Sequence, residues 1–160
     1  MKRNHFLTIA AMALLVIALV TMNACKSSGM AVTARGQLFK INIIQPTDLP
    51  EHGEDNLDVV LSNRGVNNVN DIFVDVEVPP ELVVLDQTNE RGVTASRDPG
   101  TNVYHFTLGK LQPLESSTLR FHVRASFGNR AETGTVRAKA WQKDLPGQSL
   151  LETAVIKLRA

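Results

Sequence analysis

The sequence is poor in the residue types on which several classes of protein depend. It has one cysteine in 160 residues, which excludes a disulfide framework and a zinc site built from cysteines. Six Phe, one Trp and one Tyr are too few for a surface that stacks nucleic-acid bases. The 17 Lys and Arg residues nearly balance the 16 Asp and Glu residues, so the net charge is only +1. With no strong field to attract it, a nucleic acid is not expected as a partner.

The familiar patterns of catalytic and metal-binding residues are also lacking. The sequence contains no Gly-x-Ser-x-Gly or His-Glu-x-x-His motif and no glycine-rich phosphate-binding loop. Residues 48–55 hold four carboxylates and a histidine, which are ligand types suited to Ca²⁺, but without the spacing of an EF-hand. The alternative for this segment is a solvated loop between two strands. We expect no catalytic residue, no metal and no cofactor.

Hydrophobic residues are concentrated near the N terminus. A short basic start, residues 1–5, precedes the apolar run 6–20, which is shorter than the roughly 20 residues that span a bilayer as a helix. A basic start and an apolar run of this length are typical of a signal peptide. The only cysteine, Cys25, follows shortly after, directly behind the small residue Ala24.

These features resemble a bacterial lipoprotein signal, in which the cysteine is acylated and becomes the first residue of the mature chain. Ala24 matches the family's pattern, whereas Met22 and Asn23 stand where Leu and a small residue are usual. The resemblance implies a signal peptide over 1–24, a palmitate-type lipid on Cys25 and attachment to a membrane. The expected location is the bacterial cell envelope, at the outer membrane facing the periplasm or at the cell surface. An uncleaved signal anchor and an incidental thiol are the alternatives.

The remainder of the chain divides into a tether and one domain. Residues 25–36 show no apolar periodicity, which predicts a flexible tether. From residue 37 to 160, apolar and polar residues alternate with a period of two, as in strands with one buried face. No amphipathic helix is long enough to cover a sheet, so the pattern predicts an all-β antiparallel sandwich. The predicted strands lie near residues 38–44, 57–62, 72–78, 82–85, 103–108, 118–125, 136–141 and 151–158.

Three consecutive segments resemble bacterial immunoglobulin-like repeats of the DUF11 and CARDB kind. Residues 57–65 look like their strand and N-x-G turn, and residues 69–84 look like their strand, proline break and second strand. Residues 106–119 are similar to their L-G-x-L-x-P-G-x-S-x-x-L stretch, except that Leu114 replaces the usual glycine. The resemblance implies an immunoglobulin-like β-sandwich of seven to eight strands that serves as a non-enzymatic module of a surface protein.

Two predicted strands carry basic residues on their outward faces. These candidate binding residues are Arg120, His122, Arg124, Arg137 and Lys139. If the two strands pair, the side chains would form one basic patch for an acidic partner or a glycan. The alternative is that nearby carboxylates neutralise the patch, the candidates being Asp71, Asp75 and Glu77.

Together these observations predict a lipid-anchored envelope module that binds or scaffolds an envelope protein or glycan, without catalytic activity. The loops 87–100 and 143–149 would form a binding surface if both emerge from one end of the sandwich. Two alternatives stay open. One is a periplasmic assembly or chaperone-like factor that pairs a client strand with an open sheet edge. The other is an accessory subunit that docks onto an envelope enzyme or transporter.

Overall fold

The computed structural model describes residues 30–32, 38–128 and 133–160. These residues form eleven β-strands and no helix, so the described part of the chain contains no helix that could cross a membrane. The predicted signal peptide 1–24 and Cys25 lie outside the described residues. In chain order the strands are β1 (Met30–Val32), β2 (Leu38–Ile44), β3 (Asp48–Pro50), β4 (Glu54–Asn63), β5 (Val69–Glu77), β6 (Leu82–Asn89), β7 (Ser96–Arg97), β8 (Val103–Leu111), β9 (Ser116–Ala125), β10 (Thr133–Gln142) and β11 (Leu150–Arg159).

The strands form two sheets that pack face to face. Sheet 1 has the order β1-β2-β4-β9-β6, and sheet 2 has the order β3-β11-β10-β5-β8-β7. Neighbouring strands are antiparallel, apart from β3, which runs parallel to β11. The chain crosses between the sheets several times, among them after β4, where β5 joins sheet 2, and after β8, where β9 joins sheet 1. The predicted antiparallel β-sandwich is confirmed.

The alternation of apolar and polar residues produces the core that lies between the sheets. On β4 the inward side chains of Leu57, Val59 and Leu61 are fully buried. On β9, Phe121 is buried while its neighbour Arg120 is exposed. Burying one face of each sheet against the other removes apolar area from water, at about 25 cal/mol per Å². This term drives the sheets together.

Three short strands were not predicted from the sequence. β3 lies within the segment 48–55 that was interpreted as a loop, and β7 lies within the loop 87–100. β1 lies within the predicted tether 25–36, and its residues pair with Leu38–Lys40 of β2. A strand of two or three residues is too short to show alternation, so only the neighbouring strand reveals it. The rest of the predicted tether lies outside the described residues.

Candidate functional site

Four loops meet at one end of the sandwich, which we call the loop end. The backbone N–H of Lys143 donates to the carbonyl of Asp71 over 3.0 Å, joining the β10–β11 loop to the start of β5. Arg91 donates to the carbonyl of Lys110 over 2.6 Å and forms an ion pair with Glu115, joining the β6–β7 loop to the β8–β9 turn. Part of the predicted loop 87–100 therefore shares this end with the loop 143–149. The four loops are 64–68, 90–95, 112–115 and 143–149.

Asn63, the last residue of β4, connects the β4–β5 loop to the β8–β9 loop from the interior of the sandwich. It is only 1% exposed. Its side-chain nitrogen lies 2.7 Å from the carbonyl oxygen of Asn67, 3.0 Å from that of Gln112 and 3.2 Å from that of Leu111. Its side-chain oxygen accepts the backbone N–H of Gly65 over 3.0 Å. One buried amide thus satisfies backbone groups of the β4–β5 and β8–β9 connections, each of which crosses between the sheets.

Two aliphatic side chains project from the loop end into solvent. Val66 is 84% exposed and Leu114 is 81% exposed. Leu114 also has a φ of 62°, a left-handed conformation that costs a residue with a Cβ about 1–2 kcal/mol. This backbone conformation suits the glycine that the resembled repeats usually have here. The leucine side chain therefore adds strain without adding to the core.

The structure does not bring the five predicted basic residues into one patch. Arg120, His122 and Arg124 lie on β9 in sheet 1, whereas Arg137 and Lys139 lie on β10 in sheet 2. The chain changes sheets between β9 and β10, so the two groups occupy opposite outer faces. The condition for a single basic patch, that these two strands pair with each other, is not met, because β9 pairs with β4 and β6.

Two of the three basic residues on sheet 1 have carboxylate partners on β4. Arg120 contacts both oxygens of Asp58, at 2.8 and 2.7 Å, and these hydrogen bonds raise the pKa of Arg120. His122 lies 3.0 Å from Glu54 through its Nε2 atom. Arg124 forms no ion pair within the part of the chain that the structure describes. On sheet 1 the neutralising residues, Asp58 and Glu54, are thus not those that the sequence suggested.

The two basic residues on sheet 2 are also engaged. Arg137 contacts Glu77 on β5 at 3.2 Å, and Glu77 is one of the carboxylates that the sequence suggested as neutralising residues. Lys139 lies over the ring of Trp141, with its nitrogen 5.3 Å from the ring centroid, in a cation–π contact. Of the five predicted basic residues, Arg124 is therefore the one without an ion pair or cation–π contact among the described residues.

His105 bridges two aspartates on the outer face of sheet 2. Its Nδ1 atom lies 2.6 Å from Asp75 on β5, and its Nε2 atom lies 3.2 Å from Asp98, just after β7. The hydrogen bond to Asp75, followed by that to Asp98, raises the pKa of His105 above 6.5. His105 thereby ties the end of the short edge strand β7 to β5.

The raised pKa of His105 predicts a stability that depends on pH. Because the folded state holds this proton more tightly than the unfolded chain, the stabilisation is complete below pH 6.5 and is lost as pH rises through the raised pKa. The groups are partly exposed, so the change should stay below about 1 kcal/mol. Between about pH 6 and about pH 8, we expect the urea midpoint of the native protein to fall more than that of His105→Gln. The same change of urea midpoint with pH in both proteins would contradict the assignment.

No metal site is evident within residues 30–32, 38–128 and 133–160, where no cluster of three or more His, Cys, Asp or Glu side chains is arranged to hold an ion. Three of the four carboxylates of segment 48–55 have partners outside that segment, Glu54 with His122 as described above. Asp48 pairs with Arg159 at 2.7 Å, and Glu51 accepts the backbone N–H of Phe127 over 3.0 Å.

Comparison with known proteins finds likeness at the level of the fold. No family model and no curated protein matches the sequence. The CARDB domain of the PF1109 protein from Pyrococcus furiosus is 14% identical with a TM-score of 0.50, covering 75% of this chain and 86% of that one. A non-cellulosomal cohesin from Archaeoglobus fulgidus is 12% identical with a TM-score of 0.50, covering 76% and 91%. AvmM, which catalyses macrocyclisation in alchivemycin A biosynthesis, is 14% identical with a TM-score of 0.51, covering 84% and 90%.

These similarities confirm the predicted immunoglobulin-like, CARDB-like sandwich. At such low identity they show the fold alone. The same architecture occurs in AvmM, which is an enzyme, as well as in the CARDB and cohesin domains. Function must therefore be argued from the residues of this chain.

Proposed function

We propose that this chain is a lipid-anchored module of a bacterial cell envelope that binds or scaffolds a partner through its loop end, without catalytic activity. The observation that carries the proposal is the pair of exposed aliphatic side chains on two loops that one buried residue connects. Val66 and Leu114 are more than four-fifths exposed, and the Asn63 amide bonds to both of their loops. A surface held in one conformation before binding loses less entropy when a partner docks.

The strain at Leu114 supports a role in contact. A left-handed leucine that is 81% exposed costs folding free energy and gains no burial in the free protein. Backbone strain of this kind is concentrated at ligand-binding and switch sites. Burial of the same side chain against a partner would contribute about 1.5–3 kcal/mol. Two aliphatic side chains without an aromatic ring suit a protein surface better than a glycan.

The proposed anchor would hold the domain close to the membrane. Met30 pairs with Lys40, and Phe39 pairs with Asn63 at the base of the loop end. Cys25 precedes Met30 by five residues, which span at most about 17 Å when extended. A lipid on Cys25 therefore favours a partner that lies at the same membrane. That geometry also accommodates an accessory subunit of an envelope enzyme or transporter.

Cys25→Ser is expected to move most of the protein from the membrane fraction to the soluble fraction. The loss of the thiol removes the acylation site, and with it the affinity that buried lipid chains supply at about 0.8 kcal/mol per CH₂. Fractionation of cells followed by immunoblotting measures the change, with Ser27→Ala as the control that keeps the cysteine. Retention of Cys25→Ser in membranes that have been washed at alkaline pH would instead indicate the uncleaved signal anchor.

A photo-crosslinking amino acid at Val66 is expected to capture one dominant protein partner in intact cells. The same probe at Val83, which is 40% exposed near the opposite end of the sandwich, is the matched control. Adding Leu114→Gly should weaken the crosslink while stabilising the fold by about 1 kcal/mol, because glycine relieves the left-handed backbone. Equal crosslinking from both positions, or no effect of Leu114→Gly, would contradict a partner site at the loop end.

A further inference from the structure

The first seven residues of β11 have an open edge. On one side, β11 pairs with β10 from Leu150 to Lys157. On the other side, β3 pairs only with Lys157–Arg159. No strand in the described ranges pairs with Leu150–Ile156 on this second side. We call these seven residues the β11 edge.

The direction of the backbone groups along the β11 edge follows from the pairing with β3. The N–H of Lys157 donates toward Thr47, over 3.4 Å, and the carbonyl of Arg159 accepts the N–H of Glu51 over 2.8 Å. In a strand, the polar groups of successive residues point to alternate sides. The N–H and C=O groups two, four and six residues before Lys157 therefore face the same side, where no described residue bonds to them. These groups belong to Leu151, Thr153 and Val155.

The side chains of the β11 edge are suited to strand pairing. Leu151 is 59% exposed and Val155 is 56% exposed, with the exposed Thr153 between them. The edge contains no proline, and its only charged residue, Glu152, is directed to the other face, where it is half-buried. Folded proteins commonly protect a free edge by charge, proline or a bulge, since an unprotected edge pairs with other chains.

The other long edge strand of the sandwich is less suited. β6 has a register shift between Val84 and Asp86 where it pairs with β9. A bulge of this kind twists an edge and interrupts its row of donors and acceptors. Beyond the bulge, β6 continues with the polar residues Asp86–Asn89. Of these two edges, that of β11 is the more regular and the more apolar.

The space beside the β11 edge has room for one strand. β2 lies against β11 across the sandwich, and β1 extends sheet 1 beyond β2 on that same side. A strand added to β11 would thus lie over β1. A second copy of the chain, joined through its own β11, would bring its β2 into the position of β1. This overlap favours a single extended segment over a second sandwich.

We infer that the β11 edge binds one extended segment of a partner protein, of five to seven residues, with aliphatic side chains at alternate positions. The segment adds a strand to sheet 2 by bonding to the backbone of Leu151, Thr153 and Val155, and it ends where β3 begins. The inference rests on the proposed function in that it names a class of partner for a binding module. It uses a different surface from the loop end.

Hydrogen exchange of the full chain in detergent micelles tests the open edge first. We expect the amides of Leu151, Thr153 and Val155 to exchange at least about 100-fold faster than those of Glu152 and Ala154, which bond to β10. An eight-residue peptide of alternating valine and threonine, at millimolar concentration, should then slow the three fast amides about 10-fold. The same peptide with N-methyl groups on alternate amides should leave their exchange rates unchanged. Slow exchange without peptide, or no protection with it, would overturn the inference.

Variants of Thr153 distinguish binding through the backbone N–H from binding through the side chain. Thr153→Pro removes the central N–H at an edge position where proline is tolerated, and should abolish protection by the peptide. Thr153→Ala keeps the N–H and should retain it. If Thr153→Pro does not fold, Val155→Lys places a charge on the same edge and should weaken peptide binding about 10-fold. Equal binding by native protein and Val155→Lys would contradict the inference.

Sedimentation of the same proteins identifies the occupant. A dimer of the native chain that Val155→Lys dissociates would show that a second copy, and not a lone segment, fills the edge. A failure at the β11 edge would leave membrane release by Cys25→Ser and crosslinking from Val66 unchanged, so it can be told apart from a failure of the proposed function.

Discussion

Phe121→Ala is expected to lower the free energy of unfolding by about 4 kcal/mol. Phe121 is fully buried on β9 in sheet 1. Its ring meets Tyr104 edge-on, with centroids 5.3 Å apart, and Phe106 with centroids 5.8 Å apart. Both partners lie on β8 in sheet 2, so this ring bridges the two sheets. Its removal leaves a cavity and ends two aromatic contacts, each worth about 0.5–1.5 kcal/mol beyond the buried area.

Phe73→Ala is the matched control for this experiment, because it removes the same ring from the outer face. Phe73 stacks on Trp141 at a centroid distance of 5.8 Å and is only half-buried. We expect that change to cost about 1 kcal/mol. Urea unfolding measures both variants, and Phe121→Leu provides a folded comparison if the alanine variant is too unstable. Similar losses for Phe121→Ala and Phe73→Ala would show that the aromatic cluster does not hold the sheets together.

Asn63→Ala is expected to cost about 3 kcal/mol, although asparagine at a strand end is commonly replaceable. The substitution leaves buried backbone groups of Gly65 and Leu111 without their partner. Each unsatisfied buried group costs about 1–3 kcal/mol. The loss should also release the loop end, so amides of residues 64–68 and 112–115 should exchange faster. Chemical denaturation and hydrogen exchange measure the two effects.

Asn89→Ala tests whether burial of the side-chain amide is the reason for the large cost expected of Asn63→Ala. The Asn89 side-chain oxygen accepts the N–H groups of Arg91 and Val93, at 3.1 and 2.9 Å, but the residue is half-buried. Water can replace these bonds, so we expect a cost of about 1 kcal/mol. If both asparagines cost the same, the network at Asn63 does not have the special role assigned to it.

The sequence predicted the long strands and their inward residues because both depend on local alternation. Apolar residues such as Leu57, Val59 and Leu61 recur with the period at which side chains return to one face of a strand. All eight predicted strands are present, while β1, β3 and β7 are too short to show a period. The sequence did not decide whether the loops 87–100 and 143–149 emerge from the same end of the sandwich. It gave this only as the condition under which they would form one surface.

The ion pairs of the basic residues lay beyond prediction for a different reason. Arg120 finds Asp58 from a position 62 residues away, and Arg137 finds Glu77 from 60 residues away. Such partners depend on which strands are neighbours. The outward faces of β9 and β10 look alike in sequence, and nothing local assigns them to different sheets.

Taken alone, the amino-acid sequence determined the all-β class and the residues of the core, while the export signal over 1–24 stays a prediction. The tertiary structure decided the sheet to which each strand belongs, and with it the separation of the basic residues, the Asn63 network, the exposed Leu114 and the open edge of β11. The physical reason is that burial of a strand face is encoded residue by residue, whereas pairing between strands uses backbone hydrogen bonds that every residue except proline can make. Only the packing of the whole chain selects among those pairings.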